Sequence, residues 1–150
     1  MITIKHKGNF IFEAENEKSK ITINPKEYSP IELFITGMAG CTAYDIVDFL
    51  KDKLSDFELE VEYDRREEYP RIFTKISLTY HIYSDATDEE VMNFVRSSLK
   101  KYCSTTNSLR EDIEFKITLI HNGNVLVLNG DKDLNEDDEL TQFLMSCGGG

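Results

Sequence analysis

Apolar side chains recur at every second position at the start of the chain: Ile2 and Ile4, then Phe10, Phe12 and Ala14, then Ile21 and Ile23. A period of two predicts short strands with one covered face. Lys7, Gly8 and Asn9 supply a hairpin turn between the first two strands, and Asn24-Pro25 closes the strand region. A different pattern begins at Ser29. Ser29 can cap a helix, Pro30 suits its first position, and Glu32 completes a capping box. Over residues 31–43 Glu32 is the sole charged side chain, which predicts a helix half buried on all sides. After Cys41 the pattern turns amphipathic: Ile46, Val47, Leu50 and Leu54 oppose Asp45, Asp48, Lys51 and Asp52. This predicts a surface half, with Asp45 and Asp48 on the solvated face. Gly37 and Gly40 each cost roughly 1 kcal/mol against Ala in a helix, so their presence predicts a backbone or ligand packed very close.

Strict alternation returns further on. Phe57, Leu59, Val61 and Tyr63 alternate with Glu58, Glu60, Glu62 and Asp64, and after a polar turn over 65–70 a long strand carries Ile72, Thr74, Ile76, Leu78, Tyr80 and Ile82 on one side. Thr87 and Glu90 form a second capping box, followed by the helical stripe Val91, Val95, Leu99 and Tyr102, with Cys103 at its end. Ser104-Thr105-Thr106-Asn107 interrupts or re-caps that helix. Ile113, Phe115, Ile117 and Leu119 make one more strand, and a further strand and a tail follow. Strands segregated from two long helices predict an α+β fold with antiparallel strands.

Composition narrows the function classes. A chain of 150 residues buries roughly 70% of its unfolded surface, enough for one real core. Seventeen basic against 28 acidic residues give a net charge of −11, which argues against a nucleic-acid partner, since phosphate binding needs a basic face. No apolar run approaches the ~18 residues of a membrane span, so no membrane is expected. Three cysteines are too few and too odd in number for a secreted disulfide scaffold, and a cytoplasmic, thiol-using protein fits better. Asp131, Asp133, Glu136, Asp137, Asp138 and Glu139 oppose only Lys132 over 129–140, so residues 121–150 are expected to form an acidic extension of a 1–120 domain.

Candidate chemistry centres on Cys41, set among small side chains in Gly40-Cys41-Thr42-Ala43. A buried cysteine acting as a small hydrophobe is one reading. The other is a nucleophile, which needs a cation or oriented donors to lower the thiol pKa and a resolving thiol, for which Cys103 is the candidate. Sixty-two positions separate the two cysteines, and spacing alone leaves both readings open. Cys147 sits beside acidic residues that disfavour its thiolate. His6, His81 and His121 have no metal-ligand spacing and read as surface or structural residues. No metal and no cofactor are expected.

The run Ser29-Pro30-Ile31-Glu32-Leu33, continued by Gly37-Met38-Ala39-Gly40-Cys41-Thr42-Ala43-Tyr44-Asp45, resembles the central helix of the OsmC/Ohr family. Lys101-Tyr102-Cys103-Ser104 is similar to that family's second cysteine site, and residues 64–74 are most similar to its YhfA-like branch. The resemblance covers roughly residues 1–120 in the same order. It implies an intertwined homodimer with two long helices packed centrally, and thiol-dependent reduction of organic hydroperoxides. By position, Cys41 would attack the peroxide, Cys103 would resolve the sulfenic acid as a disulfide, and a dithiol reductant would reset the pair. Ohr-type members carry a Glu directly after the helix-start Pro, paired with an Arg from the N-terminal strands. Here Ile31 follows Pro30 and the first arginine is Arg65. Arg65, Arg66 or Arg71 is then the candidate cation for the thiolate, against a plain reading as a solvated turn. Glu32 is a capping partner or a supporting group.

Two other readings remain open. A non-catalytic protein of the same fold would bind a small apolar ligand, a reading favoured by Ile31. The tail, with Asn129-Gly130, Leu140, Phe143 and Gly148-Gly149-Gly150, is similar to the end of MoaD/ThiS sulfur carriers, which implies transfer chemistry at the terminal glycine.

Overall fold

The computed structural model describes residues 1–129; the acidic segment, Cys147 and the terminal glycines lie outside the described residues. The chain divides into two units, Met1–Gly37 and the part from Met38 onward. In the first, β1 (Thr3–Gly8), β2 (Ile11–Glu15) and β3 (Lys20–Ile23) form an antiparallel sheet in that order. Gly8 and Asn9 turn the first hairpin with φ of 110° and 49°, conformations that glycine and asparagine adopt more readily than other residues. The Asn16 side chain accepts from the Lys18 and Ser19 N–H groups at 2.8 and 2.9 Å and turns the chain into β3.

Helix α1 runs Pro30–Leu50, starting where the sequence predicts. The Ser29 N–H donates to Glu32 Oε2 at 2.7 Å, and the Glu32 N–H donates to Ser29 Oγ at 3.2 Å. Both halves of the capping box are therefore made. Both halves of the helix have a buried and an exposed face: Ile35, Met38 and Ala39 are buried in the first half as expected, but not on all sides. Phe34 is half exposed there, and Thr42, Asp45, Ile46 and Leu50 are buried in the second half. Nothing among the described residues approaches an added Cβ at Gly37 or Gly40, so the close contact expected there is not made within this chain. Taken with the turn Lys51–Lys53, this helix is also long and apolar enough by composition to cross a membrane. That differs from the expectation of no such run. Its Ile, Leu, Phe, Val and Met side chains keep its mean hydropathy up, and the core helices of soluble proteins pass the same test.

The second unit is built on β4 (Leu54–Arg65), β5 (Phe73–Ser84), β6 (Glu114–His121) and β7 (Asn124–Asn129), in the order β4-β5-β6-β7. β4 with β5 and β6 with β7 are antiparallel, but β5 and β6 are parallel. The sheet is mixed, which corrects the antiparallel expectation. A hairpin can join only antiparallel neighbours, and the helical segment between β5 and β6 carries the chain back across so that it re-enters in the same direction. β7 lies past residue 120 and belongs to this sheet.

On β5 the period of two holds as predicted: Ile76, Leu78, Tyr80 and Ile82 are fully buried, each aliphatic side chain contributing ~1.5–3 kcal/mol relative to exposure. Helix α2 (Asp88–Ser97) has its complete Thr87–Glu90 capping box. Its Val91 and Val95 are fully buried. Phe49 of α1 packs against Phe94 and Tyr102, with ring centroids 5.6 and 5.4 Å apart. A π-type turn, Ser98–Tyr102, follows α2, and α3 (Ser104–Asn107) makes one short turn of helix. The predicted interruption after Tyr102 is thus present.

Candidate active site

Cys103 ends the π-type turn and caps α3. Its carbonyl is held from two sides: Asn107 Nδ2 donates at 2.8 Å and Thr106 Oγ1 at 3.1 Å. Asn107 Nδ2 also donates to the Leu99 carbonyl at 3.0 Å. This polar tetrapeptide fixes the start of α3, where backbone N–H groups have no partner inside the helix. Those N–H groups serve Cys41. Its thiol is held below the usual cysteine pKa, above all by the Thr105 N–H, then by the Thr105 hydroxyl, the Cys103 thiol and the Ser104 N–H, while burial pushes the other way. Donors aimed at sulfur favour the thiolate, the reactive form.

Cys103 is fully buried, whereas Cys41 is partly exposed; both are free thiols. Cys103 Sγ lies 3.3 Å from Thr105 Oγ1, and that hydroxyl donates to the Met38 carbonyl at 3.2 Å. Thr105 therefore ties both sulfurs to α1. The structure brings together the two cysteines that the sequence singled out, one on α1 and one at the head of α3.

The other sequence candidates lie as follows. Arg65 Nε donates to the Arg71 carbonyl at 2.8 Å, and Arg71 Nε donates to the Arg66 carbonyl at 3.3 Å. Arg66 lies 3.8 Å from the Glu68 carboxylate. These guanidinium groups brace the β4–β5 turn, and the groups that act on Cys41 are N–H, hydroxyl and thiol donors rather than a guanidinium. Glu32 closes the α1 capping box. Among the described residues no group of three or more His, Cys, Asp or Glu side chains is placed to hold a metal ion.

Two features escaped the sequence reading. Asp45, expected on the solvated face, is 4% exposed. Its Oδ2 accepts from Ser98 Oγ at 2.8 Å. Ser98 Oγ lies 2.8 Å from Thr42 Oγ1, which lies 2.7 Å from the Tyr80 hydroxyl. A hydroxyl has one proton to give, so the acidic end orients the chain: Tyr80 donates to Thr42, Thr42 to Ser98, and Ser98 to Asp45. Burial, helped by Asp48, pushes the Asp45 carboxyl above its ordinary range despite the Ser98 bond. Burial likewise pushes the Tyr80 phenol up.

The second feature is a Ser–His–Asp cluster at the ends of β5 and β6. His121 is 1% exposed, with Nδ1 2.6 Å from Asp88 Oδ1 and Nε2 2.7 Å from Ser84 Oγ. The period of two held the clue, because His121 shares a face with Ile117 and Leu119, and Ser84 shares one with Tyr80 and Ile82. The connectivity is that of a nucleophile, base and orienting acid. Yet Ser84 is 6% exposed, its N–H donates to Asn122 Oδ1, and the Ala86 N–H donates to Ser84 Oγ. The Ser84 and Ala86 N–H groups are thus engaged rather than offered to an oxyanion, and the cluster joins β5, β6 and α2.

The mixed sheet and the paired thiols at the α1–α3 contact define a class. The sequence model of the OsmC-like protein family matches residues 23–118, and the chain belongs to that family. Among its relatives, Protein YhfA of Escherichia coli (strain K12) is 35% identical over 92 residues, which is 59% of this chain and 69% of YhfA. The fold is similar to that of a hypothetical protein from Aquifex aeolicus VF5 (TM-score 0.75, 21% identity, 81% of this chain and 94% of that one). It is also similar to an OsmC-like protein from Mycoplasma pneumoniae (TM-score 0.71, 16% identity, 81% and 95% covered). An organic hydroperoxide resistance protein OsmC from Legionella pneumophila shares the fold at a TM-score of 0.56 and 19% identity, with 79% and 94% covered.

Proposed function

We propose that this chain is a two-cysteine hydroperoxide reductase. The observation that carries the reading is the Cys41 thiol, its pKa lowered by the Thr105 and Ser104 N–H groups and by the Cys103 thiol beside it. Cys41 thiolate attacks the terminal peroxide oxygen, the O–O bond breaks, and Cys41 becomes a sulfenic acid while an alcohol leaves. Cys103 then attacks Cys41 sulfur, its proton leaves with the hydroxyl as water, and a disulfide forms. A dithiol reductant opens the disulfide and is itself oxidised. This cycle suits a reducing compartment such as the cytoplasm. It needs no cofactor.

The same reading includes a homodimer. Tyr44 and Val47 of α1 are 64% and 49% exposed, and Gly40 has open space over it. An apolar helix face with room for close backbone approach fits a second copy of the chain. Consumption of tert-butyl hydroperoxide with a dithiol tests the function. Wild type is expected to turn over, Cys41→Ser to be inactive, and Cys103→Ser to stop after one equivalent. Turnover by Cys41→Ser at the wild-type rate would contradict the reading and favour a non-catalytic binder of small apolar ligands.

A further inference from the structure

The peroxide step sets a chemical demand that the two cysteines do not meet. When Cys41 sulfur takes the terminal oxygen, the other oxygen leaves as an alkoxide, a poor leaving group unless a proton reaches it. Cys103 needs its own proton for the water released in the next step, and the Thr105 hydroxyl donates to the Met38 carbonyl. Tyr80 and Tyr102 hold their protons more tightly than an ordinary phenol. Among the described residues the buried carboxyl is Asp45. Asp45 follows Cys41 by four positions on α1, which places the two Cβ atoms about 5–6 Å apart on one face. It is buried, anchored through Oδ2 by Ser98, and faced by Asp48 from its own helix, by Tyr102 from the π-type turn and by Tyr80 from β5.

Resting on the peroxidatic role of Cys41, we propose that Asp45 is the acid that protonates the leaving oxygen. Cys41 thiolate, hydroperoxide and the Asp45 carboxyl yield Cys41 sulfenic acid, alcohol and the Asp45 carboxylate. When the dithiol reductant later opens the disulfide, Cys103 returns as a thiol, Cys41 as a thiolate, and the remaining proton returns to Asp45. Burial next to Asp48 keeps the carboxyl protonated to higher pH than usual, and the chain from Tyr80 through Thr42 and Ser98 holds it in place.

The test compares three reactions at Cys41 in wild type and Asp45→Asn: tert-butyl hydroperoxide, peracetic acid and iodoacetamide. Peracetic acid releases acetate, which leaves without a proton, and iodoacetamide reports the thiolate alone. The hydroperoxide rate is expected to fall about 100-fold or more, the other two to change little, and Asp45→Glu to restore the first. Equal hydroperoxide rates in wild type and Asp45→Asn, or a parallel fall in all three, overturns the proposal. If Asp45→Asn does not fold, the wild-type pH profile decides. The hydroperoxide rate should decline as Asp45 ionises while alkylation continues to rise, and two parallel profiles overturn the proposal. Wild type that alkylates but ignores both peroxides instead overturns the peroxidase reading itself, and the acid role with it.

Discussion

Two polar clusters in the second unit, from Met38 onward, have similar connectivity and opposite character. At the ends of β5 and β6, Ser84, His121 and Asp88 form a chain of 2.6 and 2.7 Å contacts, and the neighbouring N–H groups are already engaged by Asn122 and Ser84 itself. At the α1–α3 contact the N–H groups of Ser104 and Thr105 instead converge on a partly exposed sulfur. One cluster is saturated and buried; the other concentrates donors on an atom that solvent can reach. Reactivity follows unsatisfied donor capacity and access rather than the identity of the residues in the chain.

Substitutions can break this contrast. The largest effect is expected from Cys41→Ser, which should abolish peroxide-dependent disulfide formation altogether, while His121→Ala leaves it intact in the folded protein; peptide mapping after peroxide reads both. His121→Ala should instead cost about 3 kcal/mol of stability, from a buried cavity and the lost hydrogen bonds, measured by urea unfolding. Tyr80→Phe should cost about 1 kcal/mol by removing the donor at the head of the Thr42–Ser98–Asp45 chain. Thr105→Pro, in the first turn of α3 where proline is tolerated, should move the pH midpoint of Cys41 alkylation upward because the leading N–H donor to the thiolate is lost.

The smallest effect concerns pH. The folded carboxyl of Asp45 titrates above its unfolded value. Its contribution to stability is full below the ordinary carboxyl range and is lost as pH rises through the folded pKa. Asp45→Asn should therefore match wild type in acid and unfold a few degrees higher at neutral pH and above, as thermal melts across pH would show.

Local signals were legible where the partners are local. The capping boxes at Ser29–Glu32 and Thr87–Glu90 and the alternation on β5 depend on neighbours a few positions apart, and each stands where the pattern put it. Asp45 was misplaced because a charged residue among apolar ones reads as solvent-facing, and the hydroxyl that receives it, Ser98, lies 53 positions away. The parallel pairing of β5 and β6 is a property of the crossover, which no strand pattern contains. Gly37 and Gly40 pointed to close packing, but the space over them is open in this chain. Cys41 and Cys103 were singled out from the residues themselves, and the family resemblance added the role of each. What the sequence could not supply is the donor set, since Thr105 acts on Cys41 through a backbone N–H that any residue but proline would carry.

The proposed chemistry stands or falls on Cys41 and Cys103 forming one redox pair. Intact mass and thiol mapping after a single equivalent of organic hydroperoxide test it most directly. A rapid loss of two hydrogens located at a Cys41–Cys103 disulfide is expected, and in Cys103→Ser a Cys41 sulfenic acid that a dimedone probe captures. Slow oxidation that is indifferent to substitution at either cysteine would contradict it.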